Sequence, residues 1–114
     1  MSEPSIFSRI ISRDIPADIL FEDDRLIAIR DIAPQAPVHL LVIPKTDMYD
    51  NVTELAANDP GLLATMVATS ARLAAQYADG DYRLVLNSGA SAGQTVFHVH
   101  AHVLAGGLAE GSLA

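Results

Sequence analysis

The chain has 114 residues, with 7 Lys+Arg against 14 Asp+Glu, a formal net charge of −7, and neither cysteine nor tryptophan. A chain this short builds one domain around one core, so a single unit over residues 1–114 is expected. The missing thiols exclude a disulfide framework, a thiolate metal site and a Cys nucleophile, and the acidic balance excludes a broad basic track for nucleic acid or anionic lipid.

The N-terminus carries no basic segment leading into an apolar stretch, and no apolar run nears the ~20 residues that span a bilayer. A cytoplasmic protein without membrane association is expected. Along Ser5–Arg13, Ile6, Phe7, Ile10 and Ile11 recur at helical spacing and Pro16 follows, which predicts a short amphipathic helix. Ile19–Phe21 and Leu26–Ile29, separated by the acidic turn Glu22–Asp24, predict a hairpin. Two prolines interrupt Asp31–Pro37, and the apolar, β-branched run Val38–Ile43 predicts a third strand bearing His39 and closed by Pro44.

Asp59-Pro60 reads as a cap followed by proline at the first helical position, and the apolar period that follows runs on to Tyr77, just short of Gly80. It predicts one long helix. Tyr82–Asn87 predicts a fourth strand, Ser88–Gln94 a loop of small residues, and Thr95–Leu104 a fifth strand. The order αβββαββ with hairpin connections predicts an α+β fold on an antiparallel sheet. The modest core makes an oligomer a further expectation.

Three of the chain's four histidines, His98, His100 and His102, fall within five residues at alternate positions. On a strand they share one face, while Val99, Ala101 and Val103 face the core. Adjacent members stand roughly 7 Å apart and the outer pair about 13 Å apart at the Cα atoms, too far for all three to converge on one ion. Two of them with His39 could still chelate a metal, so a His-ligated metalloprotein stays open. A row of imidazoles also suits phosphoryl chemistry: one neutral ring attacks phosphorus and forms a phosphohistidine-type intermediate, while protonated neighbours stabilise the phosphoryl oxygens. The loop at Gly89 and Gly93 lets backbone N–H groups approach an anion closely.

The pattern His98-x-His100-x-His102-Val103-Leu104, preceded by Asn87 and Gly93-Gln94-Thr95, resembles the histidine-triad (HIT) family. Ile6-Phe7, Ile15-Pro16-Ala17, Phe21-Glu22-Asp23-Asp24, the segment Asp31–Pro37, His39 and Val42-Ile43-Pro44-Lys45 resemble its Hint branch, the purine nucleoside phosphoramidases. The resemblance implies a HIT fold, a five-stranded antiparallel sheet with one long and one short helix, dimerising into a ten-stranded sheet. It implies hydrolysis of the P–N bond of purine nucleoside 5′-phosphoramidates through a nucleotidyl-histidine, with no cofactor and no metal. His100 would be the nucleophile, His102 would contact phosphate and assist the leaving amine, and His39 and His98 would complete the proton network.

By the same resemblance, Asp31 would accept from the ribose hydroxyls, as suits an acceptor-only carboxylate. Ile32 with Ile6, Phe7, Ile10, Phe21, Ile29 and Leu41 would form an apolar slot for the base, and Asn87, Gly93, Gln94 and Thr95 would hold the phosphate by backbone and side chains. A purine nucleotide such as AMP or GMP and a second copy of the chain are the expected partners. A nucleotide-binding interaction module with little turnover is the alternative reading. With no Lys or Arg after Arg83, phosphate binding is expected to rest on imidazole protons and backbone N–H groups, and to weaken as pH rises through the titration of the triad.

Overall fold

A computed structural model describes residues 4–111. Ser5 opens α1 (Ile6–Ile11), its Oγ accepting the Ser8 N–H at 3.1 Å, and the chain turns out of the helix at Arg13, whose φ is 70°. β1 (Ile19–Glu22) and β2 (Leu26–Arg30) form the expected hairpin. Asp23 makes the turn, its Oδ1 accepting the N–H groups of Arg25 and Leu26 at 2.8 Å each, a side-chain mimic of a backbone turn.

β3 (Val38–Pro44) follows, then two helices in succession, α2 (Val52–Asn58) and α3 (Pro60–Tyr77). The expectation of one short and one long helix is therefore corrected to two short and one long among the described residues. Asn51 caps α2 by accepting from Glu54 N–H at 3.0 Å, and Glu54 reaches back to Asp50 N–H at 3.1 Å. This reciprocal pairing across an Asn-x-x-Glu spacing satisfies two otherwise orphaned donors. Asp59 closes α2 through its N–H to Leu55 O and opens α3 by accepting from Leu62 N–H at 3.1 Å.

β4 (Arg83–Val85) and β5 (Ala101–Ala105) complete a five-stranded sheet in the order β1-β2-β3-β5-β4, every neighbouring pair antiparallel. The fold is the expected α+β architecture. Both last strands are shorter than the residue types suggest, β5 starting at Ala101 rather than Thr95. The register explains this. Val42 faces Ala101, so two residues on Pro44 faces Val99. Proline has no N–H to give, its carbonyl is taken by the His98 ring at 2.6 Å, and Val99 N–H turns instead to Tyr49 O at 3.0 Å.

The period-2 alternation divides the core in two. Leu26, Ala28, Leu40, Val42, Ala101 and Val103 pack under Leu55 of α2 and under Leu62, Met66 and Leu73 of α3. Ile27, Ile29, Leu41 and Ile43 point to the other face, where Phe7 and Ile10 of α1 cover them. Each fully buried aliphatic side chain contributes about 1.5–3 kcal/mol. α1 covers only the β1–β3 end of its face, and the histidines lie where its cover ends. Among the described residues no helix is long and apolar enough to cross a membrane.

Candidate active site

His102 stands on β5 opposite Leu41, and His98 and His100 occupy the segment just before it, which bends at residues 96–98. The alternation holds through that segment. Phe7 of α1 meets both His98 and His100 edge-on, at ring-centroid distances of 6.1 and 4.7 Å. His100 lies 5.0 Å from His102, and His102 lies 5.3 Å from His39, by the same measure. His39, His100 and His102 thus form a contiguous row.

Hydrogen bonds to the backbone decide where the protons sit. His100 Nδ1 is 2.9 Å from the carbonyl oxygen of His98. A carbonyl only accepts, so Nδ1 carries the proton and Nε2 presents a lone pair. His39 is fixed the opposite way: Gln35 N–H donates to its Nδ1 at 3.0 Å, which leaves the proton on Nε2. That nitrogen lies 3.0 Å from His102 Nδ1 and 3.4 Å from Asp31 Oδ2. Accepting from His39 at Nδ1, a neutral His102 carries its own proton on Nε2. One ring is thereby set as a base or nucleophile and its neighbour as a donor.

His98 differs. Its ring is 1% exposed and is bonded away from the row, donating through Nε2 to Pro44 O at 2.6 Å and meeting Ser5 Oγ and Ser8 Oγ at Nδ1 at 3.2 and 3.4 Å. The expected part of its imidazole in the proton network is corrected: His98 enters that network through its carbonyl, while its ring clamps α1 to the end of β3.

Burial pushes the pKa of His39 and of His100 below the usual histidine value. His102 is pushed down to about 4, by burial first and then by its neighbours His100 and His39. The Asp31 carboxylate pulls all three the other way without overcoming burial. At neutral pH the row is uncharged. The expectation of protonated neighbours is therefore replaced by neutral N–H donors, and the titration belongs on the acid side of the ordinary histidine range.

Folding brings a carboxylate to the row that the linear sequence does not place there. Asp31 Oδ1 accepts from Ala33 N–H at 2.8 Å, leaving Oδ2 toward His39. Asp31, His39 and His102 offer three ligand atoms within 4.8 Å of one another, near the spacing a tetrahedral ion needs. The bond from Gln35 weighs against a cation there, because it puts a proton on the His39 nitrogen that would have to bind it. These three atoms are the only such group among the described residues.

The other expected residues divide sharply. Asn87 joins His39 and His102 in lining a recess of about 170 Å³. Gly93, with φ of 96°, lies against the Asn87 amide, which a Cβ would meet at 3.8 Å. Thr95 and Ile6 line a larger recess of about 550 Å³ beside His98, together with Asp47 and Asp50. Ile6 and Ile32 are 46% and 95% exposed and have surface to offer a ligand. Phe7, Ile10, Ile29 and Leu41 are buried and pack together as an apolar floor.

Two expectations fail. Phe21 is not on this face: the pairing of β1 slips between Ile19 and Phe21, so Phe21 sits opposite Ala28, packs against the α3 side of the core and lies under the Arg72 guanidinium at 5.0 Å. The Gln94 side chain does not face a ligand either. It is buried, accepts from Gly89 N–H at 2.8 Å and donates to the carbonyls of Asp50 and Val96, pinning the loop from inside. Gln35, Ser5 and Ser8 enter as positioning groups that residue type alone does not announce; only the cap spacing of Ser5 before α1 is readable.

A family model described as the HIT domain matches residues 12–107. A purine nucleoside phosphoramidase of Escherichia coli K12 is 43% identical over 108 residues, covering 93% of this chain and 90% of its own. An uncharacterised HIT-like protein of Synechococcus elongatus is 51% identical over 108 residues, covering 93% of each. Among solved structures, a HIT family hydrolase from Clostridium thermocellum superposes with TM-score 0.85 at 42% identity over 93% of each chain. A histidine triad protein from Clostridium difficile gives TM-score 0.85 at 31% identity over 96% of each.

Proposed function

The chain belongs to the HIT domain family, and from that premise we propose that it is a hydrolase cleaving the P–N bond of purine nucleoside 5′-phosphoramidates through a covalent nucleotidyl-His100. The observation that carries this reading is the bond from His100 Nδ1 to the His98 carbonyl at 2.9 Å. It leaves Nε2 with a lone pair on a ring that is neutral at working pH, which is what nucleophilic attack on phosphorus requires.

Nε2 of His100 attacks the α-phosphorus in line with the P–N bond. As that bond breaks, the His100 ring becomes cationic and its Nδ1–H is steadied by the His98 carbonyl. The departing nitrogen takes up a proton from solvent while His102 Nε2–H donates a hydrogen bond to it, and leaves as a neutral amine with His102 unchanged. Water then attacks the same phosphorus, its released proton returns to solvent, His100 departs as a neutral ring, and the row ends as it began. Phosphoryl oxygens are held by neutral imidazole N–H donors and by the Thr95 N–H, since the N–H groups of Gly89, Ala92, Gly93 and Gln94 are bonded within the loop, with Asn87 beside them, while Asp31 accepts from the ribose and Ile6 and Ile32 flank the base over the apolar floor. Each step uses residues of this chain alone.

A homodimer is part of this reading. β4 has a strand neighbour on one side only, and Val85 and Leu104, on the histidine face of β4 and β5, lie outside the cover of α1. Leu104 is already buried, and a second copy continuing the sheet at β4 would cover the half-buried Val85.

The test is a steady-state assay of adenosine and guanosine phosphoramidates in chelator-treated buffer, with a light-scattering mass of the same sample. Stoichiometric release of amine and nucleoside monophosphate from a dimer is expected. Tight AMP binding with negligible amine release would replace the enzyme by a nucleotide-binding module.

A further inference from the structure

One buried side chain closes the loop that leads into the histidine segment. Gln94 is 3% exposed and meets Gly89 twice: its backbone N–H donates to Gly89 O at 3.1 Å, and its Oε1 accepts from Gly89 N–H at 2.8 Å. Its Nε2 has two hydrogens to give, and they go to the carbonyls of Asp50 and of Val96, the latter at 3.0 Å. Thr95 stands exposed between Gln94 and Val96, so a single amide holds both of its neighbours. The anchor lies outside the loop. Tyr49 O, one residue before the Asp50 carbonyl, takes the N–H of Val99 at 3.0 Å, next to His100. Asp50 N–H is itself held by Glu54 Oε1 at 3.1 Å, beside the Asn51 cap of α2. Two consecutive carbonyls at the start of α2 thus receive the loop on one side and the nucleophile's segment on the other.

We propose that Gln94 is a positioning residue for the phosphate: it ties the Thr95 N–H to the start of α2, in fixed register with His100. This rests on the nucleotide reading above and deepens it, because the phosphate grip then depends on a side chain that touches no ligand. A donor stabilises developing charge most when it is already aimed and need not reorganise. Without the Gln94 amide, the loop is closed by backbone bonds alone, and Gly89 N–H and the Asp50 and Val96 carbonyls lose a partner. The cost falls on the phosphoryl oxygens, since Asp31, Ile6 and Ile32, which serve the ribose and base, are carried by other segments.

Two measurements test this. Adenosine and AMP differ by the phosphate alone, so the ratio of their dissociation constants reads the phosphate grip. Gln94→Met keeps the length of the side chain and removes every hydrogen bond of the amide. Its Kd for AMP is expected to rise about tenfold, the equivalent of one charge-assisted hydrogen bond, with the Kd for adenosine within about twofold of the parent's and kcat for an adenosine phosphoramidate lowered at least as much. Equal losses for adenosine and AMP, or no loss for either, would overturn the proposal and leave Gln94 a structural residue only. In the parent protein, the side-chain amide hydrogens of Gln94 are expected to exchange slowly with solvent whether or not AMP is present, and the Thr95 N–H resonance to move with AMP but not with adenosine. Fast exchange of the Gln94 amide, or a Thr95 N–H that AMP leaves unmoved, would also overturn it, and this measurement decides the matter where Gln94→Met does not fold. If the parent binds neither adenosine nor AMP, the nucleotide reading itself falls and takes this inference with it.

Discussion

On one face of the sheet, Leu26, Ala28, Leu40, Val42, Ala101 and Val103 meet α2 and α3 with apolar side chains, whereas the opposite face runs from Ile27, Ile29, Leu41 and Ile43 straight into His39, His100 and His102. The same strands build both, since each side chain is paired with a neighbour on the other face. The difference lies in what burial does. On the helix-covered face it stabilises by volume and area alone. On the histidine face it removes the charge from ionisable rings and makes the placement of single protons the quantity that matters.

Substitutions break this comparison in graded steps. The largest effect is expected from His100→Ala, which removes the nucleophile: kcat falls by about 10⁴-fold, or roughly 5.5 kcal/mol of barrier, while the urea midpoint stays near the parent's. Leu40→Ala is its mirror image. Leu40 is fully buried on the helix-covered face, so denaturant unfolding should show a loss of about 2–5 kcal/mol, with the kcat of the folded fraction unchanged.

The pH dependence is smaller and belongs to the histidine face. His39, His100 and His102 have pKa values depressed by burial, His102 to about 4. The folded state therefore binds fewer protons than the unfolded chain between those values and the ordinary histidine value. Stability is fully present above about pH 6.5 and is lost as pH falls toward the folded values. A kcat/KM profile should be flat across neutral pH and drop only on the acid side, as the attacking nitrogen is protonated. An acid limb centred at or above the ordinary histidine value would contradict the neutral row. The smallest effect is expected from Phe21→Ala. It sits on the α3 side, so KM for a purine substrate should not change beyond error, and a severalfold rise would return it to the base slot.

These outcomes follow the line between what residue types reveal and what only folding reveals. α1, the hairpin and α3 were legible because Ser5, Asp23 and Asp59 cap or turn the backbone in ways their side chains announce, with apolar periods between them. α2 was not, because its seven residues bury only Leu55 and so show no period, although Asn51-x-x-Glu54 marks its start. The early end of pairing before β5 depends on Pro44 lying opposite Val99, and the face of Phe21 depends on a slip in β1. Neither is visible in composition. The histidine row itself was fully legible as residues sharing a face. Its proton arrangement was not, because it depends on the Gln35 N–H and the His98 carbonyl, backbone groups that every residue carries alike.

The central claim is that His100 attacks as a neutral ring with Nε2 free. Rapid acid-free quenching of enzyme with excess adenosine phosphoramidate, followed by peptide mass analysis, reads it directly. One nucleotidyl group attached to His100 is the predicted result. A nucleotidyl group on His102 or His39, or normal turnover with no adduct at any quench time, would contradict it.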